Sequence, residues 1–584
     1  MYTTLNIIKN THAERLRHLE LHTQNNKQHN HINKNLYFMM LKPATFINAW
    51  GNIKNNKGAL TPGTTQQTLQ GFGLERANAI AKRMKNNTFK PNSIRRKWIP
   101  KPGKTELRPL GIPDAEDRIV QEAIRGILEA IYEPEFEVFY SSTKGRIENF
   151  GFRPHKSPHD AIKRFKTLGQ RTHWVIEGDI KSAYDTVNHD LLLKLLQRRI
   201  TDNKFLNLIE SYLKAGIMED KGIAHSLIGV PQGGIVSPLL FNIYLFELDK
   251  YVYRELNGFL ETLNVKYNKS KIQPNPIYKS IIYQKSQIGK RLREIKRNRP
   301  LRELSPEERK YYKETLLELR ALTLKMLETP SKSDSESTYQ LVYVRYADNW
   351  ILGITGPKRF ATYFRNKMTS FLKTYLHLEL SSSKTKITNI RTNHIMFLGF
   401  NLHIRSSNIK IMRFPVVIKG STRLQIKRTT SEKIQILPDK DRILFKLKTN
   451  KYIDSNNFPR EKPAFSVLED AEIVNRYNQM ILGISNYYRI CDSNTTIHFI
   501  DYILKYSCAK TLAQRHRITL GQVFKKYGKT IKVKYTKNEV SRFLEIKIGT
   551  KLIKKYKETP HQQSQTTFSD PFKVYSHWRT KVKP

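Results

Sequence analysis

LVYVRYADNWILGI (341–354) and WVIEGDI (174–180) decide the fold. Each is a strand-length run of β-branched, aromatic and other apolar residues, the composition of a buried pleated surface. Each also delivers a carboxylate: Asp348 at the turn of the first segment, Asp179 near the end of the second. A lone Asp at a strand end is an ordinary turn or cap residue. Two of them in otherwise apolar strands are different, because a carboxylate there is costly unless it meets a cation. Asp179 and Asp348 at the tips of adjacent strands can hold a pair of Mg²⁺ ions, and such a pair stabilises the attacking and leaving oxygens of a phosphoryl transfer.

The partner class follows from charge. The 584 residues carry 102 Lys and Arg against 51 Asp and Glu, a formal net charge of +51. An excess of that size points to a polyanion, RNA or DNA rather than a membrane surface, since no segment approaches the roughly eighteen apolar residues that span a bilayer. The length is that of several domains. Cys491 and Cys508 are the two cysteines, too few for a Cys₄ zinc site or a disulfide framework, so no zinc and a reducing compartment are expected. The N-terminus MYTTLNIIKNTHAERL lacks an apolar h-region, which argues against a secretory signal.

Residues 1–36 are polar and rich in Asn and His and read as a flexible segment. Helical patterns follow at 46–60 and 74–87. IRRKWIPK (94–101) and LRPLGIP (107–113), separated by Pro102-Gly103, predict a hairpin with basic residues at its tip. A helix over 115–132 shows apolar residues at Ile119, Ala123, Ile127 and Ile131. Residues 141–149 read as a small insertion. Beyond WVIEGDI come a helix (188–200), a Gly-rich loop entering a helix (229–252), the hairpin around Asp348, a helix (357–376) and extended segments to 404. Residues 254–340 interrupt this order. They are basic over 290–302 and contain a helix with Ser305 as cap, Pro306 in its first turn and Glu308 completing a capping box. Tyr312, Leu316, Leu319 and Met326 form its packing stripe, and the insertion is expected to bear on RNA. Residues 469–560 are helical in pattern, basic and rich in Tyr.

Several residues suit nucleotide chemistry. Tyr184, five residues after Asp179, can lie under the sugar of an incoming nucleotide and exclude a 2′-OH. Lys101 and Arg108 supply the ammonium and guanidinium that triphosphate oxygens favour. In PQGGIVSP (231–238) the Gly pair permits close backbone approach, with Gln232 placed for polar contact to nucleotide or template.

In this order, KWIPKPGKTELRPLGIPDAEDRIVQEAI (97–124), NFGFRPHKSPHDAI (149–162), WVIEGDIKSAYDTVNH (174–189), GVPQGGIVSPLLFNIYL (229–245), YVRYADNW (343–350), LSSSKTKITNI (380–390) and FLGFNL (397–402) resemble the reverse transcriptases encoded within group II introns, the intron maturases. RYNQMILGISNYYRICD (476–492) and LKYSCAKTLAQRHRITLGQVFKKYG (504–528) resemble the family's thumb-like X domain. The resemblance covers roughly 37–580. It implies an α+β right-hand polymerase: fingers over 37–172, a palm over 173–414 with the basic insertion 254–340, an α-helical thumb or maturase X domain over 415–560, and a short tail, 561–584. It further implies that Asp179 and Asp348 ligate Mg²⁺ with help from the Ile180 carbonyl. Lys101 and Arg108 would hold the dNTP triphosphate, Tyr184 would be the sugar gate, Gln232 would face the nascent base pair, and Lys384 would lie near the nucleotide. Arg476, Tyr487, Tyr488, Lys510, Arg515, Lys525 and Lys526 would grip intron RNA by phosphate contacts and stacking.

The chain departs from the family at two places. The family usually shows Tyr-Ala-Asp-Asp, and here the last residue of the catalytic set is Asn349, an amide that weakens a cation site without removing its oxygen ligands. Relatives often continue into an H-N-H endonuclease with paired Cys and His; this chain ends SDPFKVYSHWRTKVKP, so cutting of a second DNA strand is not expected. The expected function is that of a maturase binding its host group II intron RNA and promoting RNA splicing, with active RNA-directed DNA polymerase for intron mobility, on a DNA primer or target, as the alternative. The richness in Asn, Lys and Ile suits an AT-rich organelle genome, with a plastid expected ahead of a mitochondrion.

Overall fold

The computed structural model of the chain describes residues 14–24, 31–56, 58–100, 107–219, 222–224, 229–230, 233–266, 275–297, 300–329, 338–406, 411–418, 421–428, 432–537 and 540–558. Lys101, Gln232 and the tail 561–584 lie outside them.

Part of the N-terminal segment is built into the protein. Residues 14–24 are helical, Leu16 and Leu19 pack on the core, and Asn33 forms a backbone bridge to Ile200. The expectation of a wholly flexible 1–36 is corrected there, because two leucines at helical spacing give a short helix an apolar face to bury. In the fingers, α1 (Pro43–Ile53) and α2 (Leu74–Lys85) lead to the hairpin β1 (Ile94–Pro100) and β2 (Leu107–Ile112), which pair antiparallel. The long helix α3 (Ala115–Ser142) follows and packs on α1.

Residues 141–149, read as a small insertion, hold the end of α3 and a strand of the palm sheet. β3 (Ile147–Asn149) forms the edge of the palm sheet, parallel to a strand two hundred residues later. Then come α4 (Pro158–Leu168), closed by a Ser157/Asp160 capping box, and β4 (Trp174–Asp179). α5 (His189–Gln197) and α6 (Asn203–Lys214) precede β5 (Ile217–Glu219) and β6 (Gly222–Ala224), which join the fingers sheet in the order β2-β1-β5-β6. α7 (Ser237–Tyr251) continues through a π-helical stretch, Val252–Asn257. The insertion is a helical hairpin of α8 (Pro276–Lys296) and α9 (Pro306–Glu328); the Ser305/Glu308 capping box starts α9.

β7 (Gln340–Tyr346), β8 (Asn349–Thr355), α10 (Lys358–Thr374) and β9 (Lys386–Asn389) complete a five-stranded palm sheet of order β3-β7-β8-β4-β9. Both of its faces are covered, which is why its strands read as unbroken apolar runs rather than as alternation. Ile176, Tyr343 and Leu352 face one core with the fingers, α7 and α10; Val175, Val344 and Ile351 face a second core with the thumb.

β10 (Ile395–Phe397) and β11 (Phe400–Ser406) lead to the hairpin β12 (Ile411–Ile418) and β13 (Ser421–Arg428), and β14 (Glu432–Pro438) returns to pair with β11. The expected boundary at 414/415 therefore cuts through β12, and strand structure persists to Pro438 because β14 completes the β10-β11-β14 sheet. Asp439 caps α11 (Lys440–Thr449); α12 (Asp470–Tyr488), α13 (Thr495–His516) and α14 (Leu520–Tyr527) form the thumb. The purely helical reading of 469–560 is corrected by a hairpin of β15 (Lys532–Lys537) and β16 (Val540–Glu545), after which α15 (Gly549–Glu558) packs on α12. Lys532-Val533-Lys534-Tyr535 alternates at period two, and Val533 is buried.

Candidate polymerase site and RNA interface

The register of the palm sheet assembles the site. β4 and β8 pair antiparallel with Asp179 directly opposite Asn349, and β7 and β8 close with Tyr346 opposite Asn349. Ala347 and Asp348 thus form a two-residue loop at the tip, immediately beside Asp179. Ala347 takes φ +58°, a left-handed conformation that such loops usually give to glycine.

A buried network holds this turn. Arg345 is fully buried, and its guanidinium makes a two-pronged ion pair with Asp249 of α7, Nε to Oδ1 at 2.9 Å and Nη2 to Oδ2 at 2.6 Å. Its Nη1 donates to the Ala347 carbonyl and to Asn242 Oδ1, both at 3.2 Å. The Tyr140 hydroxyl donates to Asp249 at 2.6 Å. Burial works against the guanidinium's charge, but Asp249 outweighs it and holds Arg345 protonated. Gly151 completes the support: a Cβ there would lie 2.3 Å from the Ala347 nitrogen, so only glycine lets this backbone approach the turn. Arg345, Asn242 and Gly151 lie in the quoted motifs, whereas Tyr140 and Asp249 lie outside them. The available signal was a charged Arg in mid-strand, which requires a buried partner.

At the tip, the Asn349 amide donates to Asp348 Oδ1 at 3.1 Å, and the Lys384 ammonium is ion-paired with Asp179. Lys384 comes from the segment after α10, which is tied to β4 where Ser381 N–H donates to the Asp179 carbonyl at 2.9 Å and Lys181 N–H to Glu379 at 2.8 Å. The Ile180 carbonyl takes no part in those two bonds. Asp179, Asp348 and the Ile180 carbonyl are hard oxygen donors of the type Mg²⁺ takes, so the residues present fit that ion. Asn349 supplies an amide oxygen where a third carboxylate would add charge.

Tyr184 follows β4, half-buried, its ring stacked on Phe241 of α7 at 4.5 Å. Val230 N–H donates to the Tyr184 carbonyl at 2.6 Å, so the Gly-rich loop starts alongside the sugar-gate candidate. Further on, Ile235 N–H donates to Gln121 of α3 at 2.8 Å, and Gly233 (φ +121°) sits where a Cβ would be 2.1 Å from the Gly111 carbonyl of β2. The described flanks of this loop, Val230 on one side and Gly233 to Ile235 on the other, are thereby held to palm and fingers. Arg108 is placed by its backbone opposite Ile99 in the hairpin.

The residues expected to grip RNA divide into two groups. Lys525 and Lys526 are exposed on α14, and Arg476 stands partly exposed on α12, paired with Glu472 at 2.7 Å. The others serve the thumb itself. Lys510 donates to the Pro459 carbonyl at 2.8 Å, and Arg515 to the Ser466 carbonyl at 3.2 Å. The stacking expected of Tyr487 and Tyr488 is corrected: Tyr488 is 2% exposed, and Tyr487 stacks on Phe400 of β11 at 5.3 Å with its hydroxyl donating to the Leu398 carbonyl at 2.7 Å. His159 of α4 joins them, its Nε2–H donating to the Tyr487 carbonyl at 2.6 Å. Apolar rings gain more by closing this palm–thumb joint than by facing water. Cys491 and Cys508 are buried and unbridged. No helix among the described residues is long and apolar enough to cross a membrane.

Carboxylates on adjacent strand tips of a covered sheet, a fingers hairpin beside them and a helical domain behind define a right-hand polymerase with a thumb. A family model described as reverse transcriptase (RNA-dependent DNA polymerase) matches residues 99–269, and one described as type II intron maturase matches residues 432–579. The group II intron-encoded protein LtrA of Lactococcus lactis subsp. cremoris is 34% identical over 493 residues, 83% of this chain and 76% of that protein. The putative COX1/OXI3 intron 1 protein of Saccharomyces cerevisiae is 29% identical over 545 residues, 91% of this chain and 59% of its own length. The uncharacterized mitochondrial protein ymf11 of Marchantia polymorpha is 25% identical over 488 residues, 74% of this chain and 58% of its own length. The chain belongs to the group II intron-encoded proteins, the reverse transcriptase and maturase family.

Proposed function

We propose that the chain is the maturase of a group II intron, binding its host intron RNA and stabilising the RNA fold that splices. The observation that carries this reading is the union of the two matched regions: palm strands and thumb helices share one apolar core, so fingers, palm and thumb present a single, strongly basic body to RNA. A ligand that prefers the native RNA shifts its folding equilibrium by the difference in affinity, and no protein side chain need take part in the transesterifications. Splicing of the host intron at limiting Mg²⁺, with and without the chain, tests it. Organellar placement agrees with the composition and with a mitochondrial relative; no residue favours a plastid over a mitochondrion.

A second reading rests on the strand-tip geometry. Asp348 stands beside Asp179 at the strand tips, with Tyr184 five residues after Asp179, an arrangement that suits templated DNA synthesis from dNTPs. Asp179, Asp348 and the Ile180 carbonyl would hold Mg²⁺, which supplies charge neutralisation for phosphoryl transfer. Lys101 and Arg108 would bind the triphosphate, Lys384 would lie near the nucleotide, Tyr184 would bound the sugar, and Gln232 would face the base pair. Primer extension on an RNA template, comparing the natural chain with Asp348→Ala, tests this reading.

A further inference from the structure

The insertion carries a feature that neither reading uses. α8 holds six basic residues, Lys279, Lys285, Lys290, Arg291, Arg293 and Lys296, against one acidic residue, Glu294. α9, its partner, is balanced in charge, five acidic against five basic residues. The two helices pack through Ile281, Ile288 and Thr315, all buried. Beside that seam runs a cleft of about 550 Å³ between the helices. Its floor is apolar, formed by Ile288 and Leu322, and its rim is not: Tyr283, Gln284, Gln287 and Arg291 come from α8, and Glu318 and Lys325 from α9. Tyr283 is 66% exposed.

We propose that this cleft is a binding site for an unpaired RNA segment, a contact on an arm outside the polymerase site. The chemistry of the rim selects that ligand. An exposed aromatic face stacks an unstacked base, and amide and carboxylate groups meet base edges, which a paired helix would keep hidden. Arg291 and Lys325 flank the cleft and answer the phosphates. A protein segment would find an apolar floor but a surplus of five positive charges along α8, and a duplex would keep its base edges from the rim. This inference rests on the reading of the chain as an intron-RNA binder.

The test uses the full chain with Tyr283→Ala, Tyr283→Phe and Arg291→Glu, and two probes: the host intron RNA and an unstructured single-stranded RNA carrying photoreactive 5-iodouracil. Loss of one base stack corresponds to about a 5- to 150-fold loss of affinity at that contact. Cross-links to the natural chain that map to the α8 peptide around Tyr283, that disappear in Tyr283→Ala, weaken in Arg291→Glu and persist in Tyr283→Phe, are the expected result. Cross-links confined to other regions, or equal capture of a fully paired RNA at α8, would overturn the proposal. If the intron RNA binds tightly and Tyr283→Ala changes neither affinity nor cross-linking, the arm site fails and the maturase reading stands; if the natural chain does not bind the intron at all, the maturase reading fails first.

Discussion

Asn349 stands opposite Asp179 across the β4–β8 pair and turns its amide N–H onto the carboxylate of Asp348. The pairing carries a consequence for charge. Two carboxylates and an amide meet at the strand tips, and the Lys384 ammonium already answers one carboxylate. One carboxylate charge is left unanswered before any divalent ion enters, whereas a third carboxylate would leave two.

Asn349→Asp is therefore expected to tighten divalent-ion binding and to raise primer extension, while leaving intron binding and splicing unchanged. Mn²⁺ titration followed by electron paramagnetic resonance reads the first effect and extension assays the second. Equal Mn²⁺ affinity in the two chains would refute the charge argument.

The Arg345–Asp249 pair positions the Ala347–Asp348 turn from full burial. Removing one partner leaves an uncompensated buried charge, so Arg345→Met should destabilise the chain by about 3–5 kcal/mol in urea unfolding. Combining it with Asp249→Leu should recover much of that loss, because replacing both partners of a buried pair with apolar residues is often neutral. A double variant no more stable than the single one would show that Asp249 acts through Tyr140 instead.

His159 links stability to pH at the palm–thumb joint. Burial, with smaller contributions from Arg489 and Lys163, depresses its imidazolium to a pKa of about 4 from 6.5, despite the bond to the Tyr487 carbonyl. A folded-state value below the unfolded one means the unfolded chain binds the proton more readily. The stability that neutral His159 contributes is complete above pH 6.5 and is lost as pH falls toward 4, by roughly 3 kcal/mol. Melting temperature followed between pH 7 and pH 4 should fall less steeply in His159→Gln than in the natural chain. Parallel curves would place the acid sensitivity elsewhere.

On the RNA side, Lys525 and Lys526 are the exposed pair at the end of α14. Charge reversal of both should weaken intron binding across RNA sequences and flatten the dependence of affinity on salt. An unchanged salt slope would move the RNA grip off α14. Lys510 and Arg515, which bond to carbonyls within the thumb, should act mainly on stability.

The palm was legible because its strands are apolar on both faces, and because turn chemistry at Ala347–Asp348 marks where the chain reverses. The Ser305–Glu308 capping box was legible because it is local. What escaped was set at long range. Whether Tyr487 and Tyr488 meet RNA or the palm depends on where Phe400 and His159 arrive, and neither is near them in sequence. β3 at the palm edge is three residues long, too short for periodicity to register. The β15–β16 hairpin did alternate, but it is flanked by helices whose pattern dominated the reading. Arg345 looked like one more member of a motif until Asp249, ninety-six residues earlier, was seen against it.

The most direct test of the account is the rate of host-intron excision at Mg²⁺ too low for self-splicing, measured with the natural chain and with Asp348→Ala. The account predicts that both accelerate excision equally, because binding and not the strand-tip carboxylates does the work. Excision that the natural chain fails to accelerate, or that Asp348→Ala alone abolishes while RNA affinity is retained, would contradict it.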